Sequence, residues 1–229
     1  MGQYMQRKPA VGIDADHGIP LLAPEMMIHS DTHLLILNKP SGLLSVPAKP
    51  PGPQDCLEAR AKASDPGALL VHRLDMDTSG IMVFARTKLA QRHLNWQFER
   101  RQVRKTYIAR VAGVIEADEG RVELPLICDW PNRPLQMVCF ERGRAALTDW
   151  RVLAREANAT RVELRPRTGR SHQLRVHMKA IGHPILGDKF YAPPDVLAAA
   201  PRLQLHAQTL TFMHPEGGAW TTFEAAVPF

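Results

Sequence analysis

The sequence predicts an α+β fold: one compact domain of two lobes around a cleft, with a largely antiparallel mixed sheet flanked by helices and loops. Three observations carry this. Strand-like apolar runs outnumber helical stripes, and they often follow one another directly where a doubly wound parallel sheet would alternate strand with helix. The 229 residues, 45% hydrophobic and 23% charged, suffice for a core without disulfides or metal.

Residues 1–24 hold few periodic apolar positions and several breakers, which predicts a poorly ordered arm ahead of a domain over 25–229. Met26–Ile28 and Leu34–Leu37 flank Ser30-Asp31-Thr32 and read as a hairpin. Pro40 and Gly42 impose a turn, and four prolines make residues 47–53 a surface loop. A short helix is expected over Asp55–Ala63, then a buried strand over Ile81–Ala85. Thr87 is placed to cap a helix running to about Gln102, with Ala90, Leu94 and Phe98 as its apolar stripe. Tyr107–Val111 reads as a strand, as do runs around Val122, Met137–Phe140, Ala146–Leu153 and Arg161–Leu164. The last helix has Ser171 as N-cap, Leu174, Met178 and Ile181 inward, Arg175 and Lys179 on its other side, and Gly182 as terminator.

No apolar run approaches the roughly 20 residues of a membrane span. The first 24 residues lack the apolar segment of a secretory signal, so the expectation is a cytoplasmic protein without a membrane partner. Cys56, Cys128 and Cys139 form no CxxC pair and read as small core residues. The formal charge of +6 is unevenly spread: residues 86–110 carry a local +7 and residues 161–179 a local +5, on an otherwise acidic body. Such segments suit a polyanion, nucleic acid first, and equally suit a solvated helix face.

Three polar knots punctuated by glycine or proline stand out, at residues 38–42 (NKPSG), 72–80 (HRLDMDTSG) and 168–177 (TGRSHQLRVH). In the middle one Asp75 is either a turn cap or a working carboxylate, and spacing alone favours the cap. His172, His177, His183, His206 and His214 could form a metal set, but His172 and His177 are five apart on the expected helix and no HExxH occurs. Neither GxGxxG nor a P-loop is present.

The knots resemble the motifs of the RluA-type pseudouridine synthases. HRLDMDTSG matches the family's HRLDxxTSG signature, NKPSG its first motif, KTYIARV at 105–111 its tyrosine motif, TGRSHQLRVH its arginine motif, and LQLHA at 203–207 its late motif. The resemblance covers nearly all the chain after residue 25. Residues 38–47, 124–134 and 182–192 look closest to the family's dual-specificity type, which modifies 23S rRNA and tRNA stem-loops. The S4 RNA-binding domain of many relatives has no counterpart.

The resemblance implies isomerisation of uridine to pseudouridine, with RNA as partner, no cofactor, no metal, and a monomeric enzyme. Asp75 is then the nucleophile, or the stabiliser of charge at C1′. Arg170 is expected to keep it ionised through a bidentate pair. Tyr107 would stack on the extracted uracil and help remove the C5 proton. Arg73 resembles the residue that inserts into the RNA, and Leu205 a position lining the uracil pocket. His72, Lys39, Arg104, Lys105 and Arg175 complete the expected RNA contacts. A non-catalytic RNA-binding or chaperone protein is the alternative, and a metal-dependent hydrolase built on the histidines a third reading.

Overall fold

The computed structural model describes residues 18–229. In chain order the elements are β1 (Met27–Ser30), β2 (Leu34–Lys39), α1 (Leu57–Ser64), β3 (Leu69–Leu70), β4 (Ser79–Ala85), α2 (Lys88–Glu99), β5 (Arg104–Ala112), β6 (Glu119–Glu123), β7 (Leu126–Cys128), β8 (Gln136–Val138), β9 (Leu147–Arg155), β10 (Ala159–Pro166), α3 (Gln173–Ala180), α4 (Pro194–Ala198), β11 (Leu205–Met213) and β12 (Trp220–Glu224). A mixed sheet runs in the order β1-β2-β4-β11-β5-β10-β9-β6, with β12 beside β11 and β3 beside β4. Among the described residues only β4 and β11 pair in parallel, so the α+β class with a largely antiparallel sheet holds. A separate hairpin, β7–β8, stands beside it.

The fully buried strand β4 explains the layering. Met82 and Phe84 join Leu35 and Leu37 on one face, under α1. Ile81, Val83 and Ala85 join Leu34 and Ile36 on the other, under α2. An uninterrupted apolar run is what a strand covered on both faces requires. Farther along the sheet, Ala109, Val111, Val162 and Leu164 pack against Leu174 and Met178 of α3. Tyr107 packs against both this core and the one under α1, so it stands where the two halves of the molecule meet.

Thr87 caps α2 by accepting from the Ala90 N–H at 3.1 Å. The helix stops at Glu99, short of Gln102, because Arg101 turns left-handed at φ 57°. The cap expected at Ser171 is displaced: α3 starts at Gln173, with His172 in the left-handed region as its N-cap. Gly182 ends that helix at φ 89°, as its position implied.

The expected arm falls largely on residues 1–17, which lie outside the described residues. Its last part is tied down: Ala23 is buried and the Leu22 N–H donates to Ser64 Oγ at 2.8 Å. Cys56 is buried, its Sγ capping α1, whereas Cys128 and Cys139 are only half-buried. No helix among the described residues is long and apolar enough to cross a membrane.

Candidate active site

A cavity of about 400 Å³ opens on the sheet face that carries α1 and α3, with Tyr107 and Leu205 from the strands at its base. Asp75 reaches it from the loop before β4. The loop's turn is made by backbone alone, the Thr78 N–H donating to the Asp75 carbonyl at 3.1 Å. The carboxylate accepts no backbone N–H among the described residues, and its side chain is 30% exposed toward the cavity. That arrangement departs from the turn-cap reading.

The first knot is the clamp for this loop. Lys39 is fully buried, and its ammonium donates to the carbonyls of Pro40, Leu43 and Met76 at 2.7–2.9 Å. Burial pulls its pKa down to about 7, opposed by the charges of Asp77 and Asp75. Three carbonyl acceptors use all three protons of the charged form. Ser41 Oγ donates to the Asp77 carbonyl, Ser45 Oγ to the Leu74 carbonyl, and the Gly42 N–H to the Met76 carbonyl. Lys39 is therefore an internal staple, and the expected RNA contact there is corrected.

The largest correction concerns the arginines of the third knot. Arg170 lines the cavity mouth, where its Nε donates to the Ala145 carbonyl at 3.1 Å. Burial lowers its pKa, and the neighbouring charges of Arg144 and Arg101 lower it further. Arg175 faces Asp75 instead, its Nη1 lying 3.6 Å from Oδ2. It is 2% exposed and makes a bidentate pair with the fully buried Asp188, Nε to Oδ2 at 2.8 Å and Nη2 to Oδ1 at 2.6 Å. Burial works against the guanidinium charge, and the pairing with Asp188 more than offsets it, so its pKa is raised. Asp188 Oδ1 also accepts the Phe190 and Tyr191 N–H groups, which fixes the fork. Arg175 lines the cavity with its charge committed to Asp188 and Asp75. Over residues 173–178 α3 is covered on every side, which puts Arg175 inside.

Arg104 is a further correction, whereas His72 lines the cavity as an uncharged ring. His72 Nε2 accepts the Val83 N–H at 3.1 Å, and its ring stacks on Phe98 at 4.8 Å. Burial, helped by Lys105, drives its pKa down to about 3, so it is a neutral wall rather than a cation for phosphate. Arg104 lies three positions from Tyr107 along β5 and so faces the opposite side of the sheet, over Trp220 at 5.0 Å. Lys105, Arg73 and Leu205 do line the cavity. Lys105 is deeply placed, its ammonium against Gly169, and burial lowers its pKa. Tyr107 has its pKa raised by burial and then by the Asp75 charge, so the phenol is held protonated.

Half of the six cations in the second basic segment are paired with carboxylates. Arg167 pairs with Asp149, Arg165 with Glu163 and Arg175 with Asp188. In the first, Arg86 pairs with Asp65 and Arg110 with Glu156. The cations left around the mouth are Arg73, Arg101, Arg144 and Arg170.

Sequence reasoning missed Asp188, Gln173 and the placement of His172. Gln173 accepts from Thr168 Oγ1 and the Arg170 N–H, and donates to the Leu147 carbonyl and Thr148 Oγ1, tying the third knot to β9. The histidines serve separate hydrogen bonds: His177 with Thr148 and Leu124, His183 with Ala112, His206 with Ser79 and Ala225. Asp188 follows Gly187 directly in a stretch with no other carboxylate between Arg175 and Asp195, which was the available signal.

Known proteins share this chain's sequence and architecture. Residues 33–180 match the RNA pseudouridylate synthase family model. The dual-specificity RNA pseudouridine synthase RluA of Yersinia pestis is 54% identical over 205 residues, covering 89% of this chain and all of that protein. The protein of that name from Escherichia coli K12 is 53% identical, covering 89% and 94% of the two chains. Among solved structures, human RNA pseudouridylate synthase domain containing 1 superposes with a TM-score of 0.75 at 26% identity, over 89% of this chain and 83% of that one. Human RNA pseudouridylate synthase domain containing 4 gives 0.70 at 28%, over 88% of each.

Proposed function

This chain belongs to the RNA pseudouridylate synthase family, and from that premise we infer that it isomerises uridines to pseudouridine in stem-loops of both 23S rRNA and tRNA, acting as a cytoplasmic monomer. The N1–C1′ bond breaks, the base turns, the C5–C1′ bond forms, the C5 proton leaves and N1 gains one. The reaction is redox-neutral and consumes no water overall, so it calls for no redox cofactor and no metal-bound hydroxide.

The target C1′ is shielded inside folded RNA, so the nucleotide is extracted into the cavity, which costs a few kcal/mol of stacking. Arg73, exposed at the mouth beside Asp75, fills the gap left in the RNA. Asp75 acts at C1′, as nucleophile or as electrostatic stabiliser. Arg175, held by Asp188, faces its carboxylate and keeps it charged and oriented. Tyr107 stacks on the uracil, and Leu205 closes the apolar side of its slot. Lys105 and the cations of the mouth take phosphates, supplying affinity more than sequence information.

The observation that carries this reading is the convergence of Asp75, Tyr107 and a buried, pre-paired Arg175 on one cavity. A non-catalytic binder gains nothing from burying an ion pair against a carboxylate. The test is carbodiimide-dependent reverse-transcription mapping of 23S rRNA and tRNA from cells with and without the protein. Sites in both RNAs should disappear with it, and unchanged maps contradict the reading.

A further inference from the structure

His172 is one of two non-glycine residues with positive φ among the described residues, at φ 53° and ψ 16°. A left-handed backbone is disfavoured for a residue with a Cβ, and such outliers gather at functional sites. The imidazole lies 5.7 Å from the Phe190 ring at an interplanar angle of 20°. Nδ1 is 2.6 Å from the Tyr191 hydroxyl, and Nε2 is 4.0 Å from Asp75 Oδ2.

The position of the ring proton follows from Tyr191. Its oxygen accepts the Gln136 N–H at 2.9 Å, and among the described residues His172 Nδ1 is the one acceptor within reach of the phenol's own proton, so the hydroxyl donates to Nδ1. Burial, together with the Arg175 charge, holds the imidazole neutral against the opposing charges of Asp75, Asp188 and Asp77. With Nδ1 accepting, the single proton sits on Nε2 and is presented to the cavity.

The separation of 4.0 Å exceeds a hydrogen bond. One atom at about 2.8 Å from each end would bridge it at an angle of roughly 90°. That atom must accept from the imidazole N–H and donate to the carboxylate. A hydroxyl or a water does both; a carbonyl or phosphate oxygen repels the carboxylate, an N–H offers His172 no acceptor, and a substrate that fills the slot brings the hydroxyl. When C1′ of a ribonucleotide faces Asp75, the adjacent hydroxyl is the 2′-OH, the group that separates RNA from DNA.

Resting on the reading of Asp75 as the carboxylate that acts at C1′, we propose that His172 is a specificity-determining residue that binds the 2′-hydroxyl of the extracted uridine jointly with Asp75. The test compares single-turnover rates below RNA saturation for the wild type and His172→Asn. The substrates are a uridine stem-loop and the same RNA with 2′-deoxyuridine only at the target. Asn tolerates the left-handed backbone, and its amide ends about where the imidazole Nδ1 lies, short of the Nε2 position that faces Asp75.

The wild type should be about tenfold slower on the deoxy target, and His172→Asn about tenfold slower on the ribose target with no further loss on the deoxy one. Equal losses of the variant on both RNAs, a ribose-target loss under about threefold, or wild-type rates within about twofold on the two RNAs would each overturn the proposal. If His172→Asn fails to fold by circular dichroism, Tyr191→Phe takes its place. Freed from the hydroxyl that sets its tautomer, His172 should then discriminate less, and an unchanged ratio overturns the assignment. Failure of the underlying reading looks different: the wild type forms no pseudouridine in the ribose stem-loop, or Asp75→Asn forms it.

Discussion

Two arginines five residues apart in one motif have different work, and burial separates them. Arg175 is enclosed and commits two of its nitrogens to Asp188, so its third faces Asp75 at a fixed angle. Arg175→Ala leaves Asp188 buried and unpaired and should cost about 3–5 kcal/mol of stability. Arg175→Lys keeps the charge but not the fork, and should lower the single-turnover rate at saturating RNA by about a hundredfold or more. Arg170→Ala should leave that rate within about threefold while weakening RNA binding, since its side chain meets only a carbonyl and other cations. Rapid-quench kinetics and denaturant melts separate these outcomes; equal rate losses for Arg170→Ala and Arg175→Lys would reverse the assignment. The five motifs made Asp75 and Tyr107 legible in the sequence. Which arginine turns inward was not, because that depends on α3 being enclosed on every side over residues 173–178, which only the assembled fold provides.

At the scale of elements, the signature's last residue explains the one parallel pairing of the sheet. Gly80 pairs with Ala207 across β4 and β11, at φ 114°. A Cβ there would sit 2.2 Å from the Ala207 carbonyl oxygen and 2.6 Å from its nitrogen, both backbone atoms that cannot yield. Gly80→Ala should therefore cost more than about 3 kcal/mol, against about 1–2 kcal/mol for Gly182→Ala, which has positive φ but open space. Thermal melts of the two variants check this, and equal costs would contradict the close approach. Most strands were visible in the sequence as short apolar runs, and the Thr87 cap was visible in its residue type. β11 was not foreseen as a strand, although Gln204, His206 and Gln208 alternate with Leu203, Leu205 and Ala207 as in a half-buried strand, because the stretch was read only as the family's late motif. Their polar groups find partners only once β4, β12 and the neighbouring loops are assembled.

At the scale of the whole molecule, the net charge of +6 describes the binding surface poorly. Part of the basic charge read as a footprint is paired with carboxylates, and four cations stand together at or beside the cavity mouth, Arg73, Arg101, Arg144 and Arg170, of which Arg73 and Arg144 lie outside the two basic segments. Removing one phosphate-binding cation should reduce the slope of log K against log salt by about one, so Arg101→Ala with Arg144→Ala should flatten it by about two. Arg165→Ala, whose partner is Glu163, should leave the slope unchanged, and a slope that changes equally for both would show that the footprint is diffuse. Sequence could count these charges but not all of their partners: Glu163 stands two residues from Arg165, whereas Asp149 lies on β9 and Asp188 beyond α3, away from the arginines they pair with.

One carboxylate, on a loop clamped by the first motif and faced by a buried arginine, is proposed to perform the isomerisation within residues 25–229. The most direct measurement is pseudouridine formation by purified wild type and Asp75→Asn on a stem-loop of about 15–20 nucleotides, a length one compact domain can span, with binding followed in parallel. The account predicts conversion of one uridine by the wild type, and none by Asp75→Asn despite near-normal binding and fold. Turnover by Asp75→Asn would contradict the role of the carboxylate, and wild-type activity only on whole ribosomal particles would contradict recognition by this domain alone.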